Sequence, residues 1–188
     1  MSSKKFLLLA ALAMAATPLR AQQGGGTMGG MAMGAMPDSY KDVQMAALRL
    51  QRRALLAMVD SMPERLYRDK VTPIQRDFAQ QIEHAAGSVP MVGSMVLHVP
   101  GPAHMDTSAY LNTRAGLRAF VNTQYDWAES TLRNQSAADR AAMINLFGMQ
   151  MPGWKLWDEL HQHTFWTAGQ IVANFRKNGM APPGFGFF

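Results

Sequence analysis

Leu160-His161-Gln162-His163-Thr164-Phe165-Trp166-Thr167-Ala168-Gly169-Gln170-Ile171 sets two imidazoles, two hydroxyls and two amides inside a strongly apolar stretch. Imidazole is the side chain that both ligates divalent metals and exchanges a proton near neutral pH, so the chemistry on offer is metal binding or proton transfer. Read as a helix, His163, Thr167, Gln170 and Asn174 follow spacings of four, three and four and share one face. Trp157, Leu160, Thr164, Ala168, Ile171 and Phe175 form an apolar stripe beside it. Polar groups on so apolar a helix point into the interior of a bundle, where each needs a partner. A metal ion is one such partner and a hydrogen bond is another. His161 stands two residues from His163, about 200° around the helix, so an undistorted helix cannot turn both to one ion.

The rest of the sequence narrows the chemistry further. Cysteine is absent from the 188 residues, which excludes thiolate ligands, a cysteine nucleophile and covalent haem attachment. No phosphate-binding loop or dinucleotide fingerprint occurs. Glu159 precedes His161 by two and His163 by four, so the Glu-x-x-His pattern of di-iron bundles is missing. Ser, His and Asp are all present, but their order alone yields no hydrolase triad. The remaining histidines are His84, His98 and His104. Taken alone, His84 reads as a surface or capping histidine, and His163 as a core histidine bonded to Gln170 or to a carbonyl. The aromatic residues Trp154, Trp157 and Trp166 read as packing.

Helices must carry these groups. Asp38 or Ser39 can cap a helix to about Met62, with Val43, Ala46, Leu48, Leu50, Leu55, Leu56 and Val59 inward. A second helix is expected from about Thr72, with Pro73 at its first position, to Gly87. Residues 88–112 hold prolines and glycines without a stable period and read as a long irregular crossover with room for one short helix. A third long helix covers 113–134, and Ser136 with Asp139 resembles a capping box opening a shorter helix to Phe147. The fourth long helix spans 153–178 and is stopped by Gly179 and Pro182-Pro183. No strand of comparable strength is expected. The fold class is therefore all-α, an up-and-down four-helix bundle with a long crossover loop.

The N-terminal part has a different character. Lys4 and Lys5 precede the apolar run Phe6 to Ala16, and Ala21 offers a cleavage point, so residues 1–21 read as an export signal. Residues 22–38 are Gly- and Met-rich and read as a flexible linker, leaving 39–188 as the folded domain. Met28, Met31, Met33 and Met36 in that linker are soft ligands suited to Cu(I). The product is expected to be periplasmic or secreted, with no membrane span once the signal is cleaved. Cleavage removes three of the 18 Lys and Arg and none of the 13 Asp and Glu, so the net charge falls from +5 to +2. No Lys/Arg run survives to bind nucleic acid.

Several local features together resemble the DinB-like superfamily of four-helix bundles, which includes metal-dependent thiol transferases. Ser61-Met62-Pro63-Glu64 is similar to that family's break between its first two helices. Thr72-Pro73 through Phe78-Ala79-Gln80-Gln81-Ile82-Glu83-His84 resembles its second helix, which ends in a metal-binding histidine. In the last helix, His163 takes the place of the first histidine, Gly169-Gln170 that of the glycine-glutamine pair, and Arg176, Gly179 and Pro182-Pro183 that of the tail. The resemblance covers residues 40–183. It implies one divalent metal (Zn, Ni, Mn or Fe) held by three histidines, a small-molecule substrate and a homodimer. Here Thr167 stands in the second histidine place, so the implied ligand set is His84, His163 and Thr167. A hydroxyl is a poor ligand for such ions, which makes the site altered or degenerate. His98, His104 or His161 would have to replace the missing imidazole. The other reading is a non-catalytic binding or scaffold bundle that has lost its metal.

Overall fold

The computed structural model describes residues 38–184. The export signal, nearly all of the Gly/Met-rich linker with its four methionines, and residues 185–188 lie outside the described residues.

Helix α1 spans Asp38–Ser61 and is followed by a single 3-10 turn at Glu64–Leu66. Helix α2 covers Phe78–Leu97, and the short α3 covers Thr107–Tyr110. Helix α4 runs over Arg114–Asn134 and the short α5 over Ala137–Ala141. Strands β1 (Met143–Leu146) and β2 (Met149–Pro152) precede α6, Lys155–Lys177. The four long helices make the expected bundle.

Cross-helix bonds give the directions. Lys41 reaches the Arg133 carbonyl, Arg52 reaches Asn122 and Asp126, and Arg118 pairs with Asp60, so α1 and α4 are antiparallel. Tyr40 bonds Asp158 and Gln51 bonds His161, so α1 and α6 run the same way. Gln81 bonds Gln170 and Thr164 bonds the Ala85 carbonyl, which sets α2 against α6. Helices α2 and α4 therefore run parallel although they are consecutive long helices, so the bundle runs up-down-down-up where a strict up-and-down order was expected, and the crossover loop is what permits it. Each of α1 and α2 packs on both α4 and α6. The core between them is filled by Trp157, Tyr67, Tyr125, Phe78 and Phe175. Phe78 meets Phe175 edge to face at 5.9 Å between centroids.

Two further expectations need correction. Helix α2 starts at Phe78, not near Thr72, because Asp77 is the better cap. Its carboxylate accepts the Gln80 N–H at 2.8 Å, while Gln80 accepts the Asp77 N–H at 3.1 Å. The helix also continues through Gly87 and Pro90 into the stretch read as irregular. Proline removes one helical hydrogen bond, but Val89, Pro90, Gly93 and Val96 are all buried, and that packing outweighs the local cost. It ends at His98, which adopts a left-handed conformation with φ 54°.

The second correction concerns residues 143–152, where no strand was expected. The Ser136–Asp139 capping box forms, but α5 stops at Ala141 and an antiparallel hairpin follows with Leu146 opposite Met149. Its two-residue turn, Phe147-Gly148, has φ of 50° and 91°. Two positive φ angles are what a tight hairpin turn of this hand requires. The Asn145 side chain closes it by accepting the Gly148 N–H at 2.7 Å.

Candidate functional site

The polar stripe of α6 faces α2. Antiparallel packing brings Gln81, His84 and Ser88, spaced three and four apart on α2, against His163, Thr167 and Gln170 on α6. His84 and His163 meet with ring centroids 5.0 Å apart and planes at 78°. Thr167, one turn beyond His163, is buried, at 1% exposure. Gln170 accepts a hydrogen bond from Gln81 at 3.3 Å. Asn174 donates to the Asp69 carbonyl and so ties the far end of the stripe to the loop before α2.

The site's electrostatics follow from burial and one nearby cation. Burial, then the Arg76 guanidinium, then His163 push His84 below the usual imidazole range. Burial followed by Arg76 does the same to His163. Both rings are therefore held neutral, which is the form that ligates a metal. Ser88 Oγ lies 3.4 Å from His84 Nδ1 and donates to the His84 carbonyl at 2.5 Å. His163 Nδ1 and Gln81 Oε1 are buried and lack a hydrogen-bond partner among the described residues.

These observations test whether a divalent ion fits. Two imidazoles bound at about 2.0–2.1 Å to one tetrahedral ion have ring centroids about 5 Å apart. The observed separation matches that requirement, and His163 Nδ1 is a buried nitrogen without a hydrogen-bond partner among the described residues. The third place does not match as well, since Thr167 offers only a neutral hydroxyl. Among the described residues no group of three His, Asp or Glu is assembled. What the described residues supply toward an ion is a pair of imidazoles.

The other histidines go elsewhere. His161 turns toward α1, where its Nδ1 lies 2.8 Å from Gln51 Nε2, and Gln51 Oε1 accepts the buried Tyr125 hydroxyl at 3.1 Å. His98 caps the far end of α2, roughly 21 Å along the helix from His84 at 1.5 Å per residue. His104 lines a cavity beneath the crossover that does not include His84 or His163. Glu83 diverges from His84 and accepts the Tyr110 hydroxyl at 2.5 Å. The sequence reading overlooked Gln81, Ser88 and Arg76. The first two were detectable by the same spacing rule that found the α6 stripe, whereas Arg76 lies before the cap and carries no periodic signal.

No protein-family model matches this chain, and no curated protein matches it in sequence. Solved structures do match it in fold. A DinB-like protein from Bacillus cereus superposes with a TM-score of 0.66 at 14% identity, over 76% of this chain and 95% of that one. A DinB-like protein from Bacillus subtilis gives 0.61 at 12% identity, over 77% and 96%. At such identity the likeness establishes the fold: this chain is built as a DinB-like helical bundle.

Proposed function

We propose that this DinB-like bundle is an exported protein that binds one divalent metal through His84 and His163, with Thr167 in the third ligand place. The observation that carries the reading is the approach of two neutral imidazoles, from separate helices, to 5.0 Å between ring centroids. A bound ion would supply Lewis acidity, lowering the pKa of a water or thiolate in its open position. The chain's own contribution is positional. Gln81 and Gln170 brace the two helices against each other, and burial keeps both rings unprotonated.

A second reading, a binding or scaffold bundle without metal, is favoured by Arg76. Its guanidinium acts on both imidazoles, and the same charge repels a divalent cation.

One titration separates the two. The full chain, purified without a histidine tag, is titrated with Zn(II), Ni(II), Mn(II) and Fe(II) beside His84→Ala/His163→Ala and Thr167→His variants. We expect one equivalent to bind, the double variant to lose it, and Thr167→His to bind at least tenfold tighter by restoring a third imidazole. Binding that is equal in the wild type and the double variant refutes the metal reading and leaves the scaffold.

A further inference from the structure

Beyond the histidine pair, α2 borders a cleft of which the metal reading uses only the His84 edge. Two cavities of about 330 and 380 Å³ adjoin there, sharing Glu83, Gly87, Met91, Phe120 and Gln124 as lining. One end is polar and lined by Arg76, Gln80, His84 and Ser88. The other runs under the crossover, where Pro90, Ala103 and Met105 line it together with His104, Thr107 and Tyr110. The cleft thus has a cationic end at Arg76 and a mixed body in which Met91, Phe120 and Met105 supply apolar surface beside polar groups, Glu83 among them.

The charges within it are not equivalent. Glu83 accepts the Tyr110 hydroxyl, and the neighbouring Asp77 is taken by Arg68 at 2.9 Å. Arg76 makes no ion pair among the described residues, yet it stands close enough to depress both site imidazoles. A planar guanidinium without a partner at the mouth of a cleft presents the donor fork that matches a carboxylate. Gly87 lets the Phe120 ring pack close against α2 at the floor, since a Cβ there would lie 3.3 Å from Phe120 Cζ.

We propose that this cleft binds a small amphipathic carboxylate, its anionic head on Arg76 and Gln80 and its apolar body against Met91, Phe120 and Met105. The site goes beyond the metal reading and does not need the ion, because the attracting charge belongs to Arg76.

The test is calorimetric titration of the full chain, in EDTA, with butyrate, octanoate and 4-phenylbutyrate, and with octanamide as the neutral match. Octanoate is expected to saturate one site, with octanamide at least tenfold weaker. Arg76→Gln, on an exposed side chain outside the core, should erase that difference, and Gly87→Leu should abolish binding of both. If none of the carboxylates saturates, or octanoate and octanamide bind alike, the proposal fails. It fails equally if Arg76→Gln keeps the preference, a result that stands even if Gly87→Leu does not fold. EDTA separates the two readings: zinc titration can fail while octanoate binding survives, and the reverse.

Discussion

His84, His161 and His163 all sit below the ordinary imidazole value of 6.5, with burial the largest cause for each. The folded chain therefore refuses protons that the unfolded chain accepts. As pH falls below about 6.5 the unfolded state gains bound protons and stability declines, whereas above it both states are neutral and the dependence vanishes. We expect Tm to drop between pH 7.5 and pH 5.5, and the drop to shrink in His84→Gln/His163→Gln. Asp69 and Asp139, held below the usual carboxylate value of 3.8 by their hydrogen bonds, lose their contribution only in a more acid range. A Tm that is level or rises toward pH 5.5 in differential scanning calorimetry would contradict neutral, half-buried imidazoles. At this scale the residue types at the candidate site were legible, because imidazoles in an apolar helix are chemically conspicuous. Arg76 was not, because an arginine outside a helix has no pattern until the fold brings it to the histidines.

Among the elements, α2 and the hairpin separate what local rules decide from what packing overrides. The Asp77 cap is a local device, and it is also held by Arg68 from the loop before it. Asp77→Ala should cost about 1–2 kcal/mol, since a helix cap contributes about 1 kcal/mol and the buried partner bonds are lost with it. Urea unfolding measures this, and a change below a few tenths of a kcal/mol would mean that the cap is redundant. The continuation of α2 past Pro90 was illegible because proline argues locally for a break. Only burial of the same turn against neighbouring helices keeps it helical. The hairpin was missed for a related reason. Met143 to Pro152 lacks a strong apolar alternation, and its register is set by the positive φ angles at Phe147 and Gly148.

For the molecule as a whole, one buried chain of hydrogen bonds ties three helices together. Tyr125 on α4 donates to Gln51 on α1, and Gln51 bonds His161 on α6. Gln51→Leu keeps the volume roughly but removes the partner of the half-buried His161 Nδ1 and one of the Tyr125 hydroxyl's two, Thr164 being the other. An unpaired group of this kind costs about 1–3 kcal/mol, so we expect about 1–3 kcal/mol of destabilisation by chemical denaturation. A loss under about 0.5 kcal/mol would mean the network carries little of the bundle's stability. The sequence alone determined that the fold is helical, the number of long helices and the face of α6 that carries polar groups. Those properties follow from periodicity and caps, which act over a few residues. Tertiary structure decided the rest: the parallel run of α2 and α4, the seating of His84 against His163, the turning of His161 toward Gln51, and the cleft beside Arg76. Each depends on which helix faces which, and that is set by burial summed over the whole core, where no single segment of sequence holds the answer.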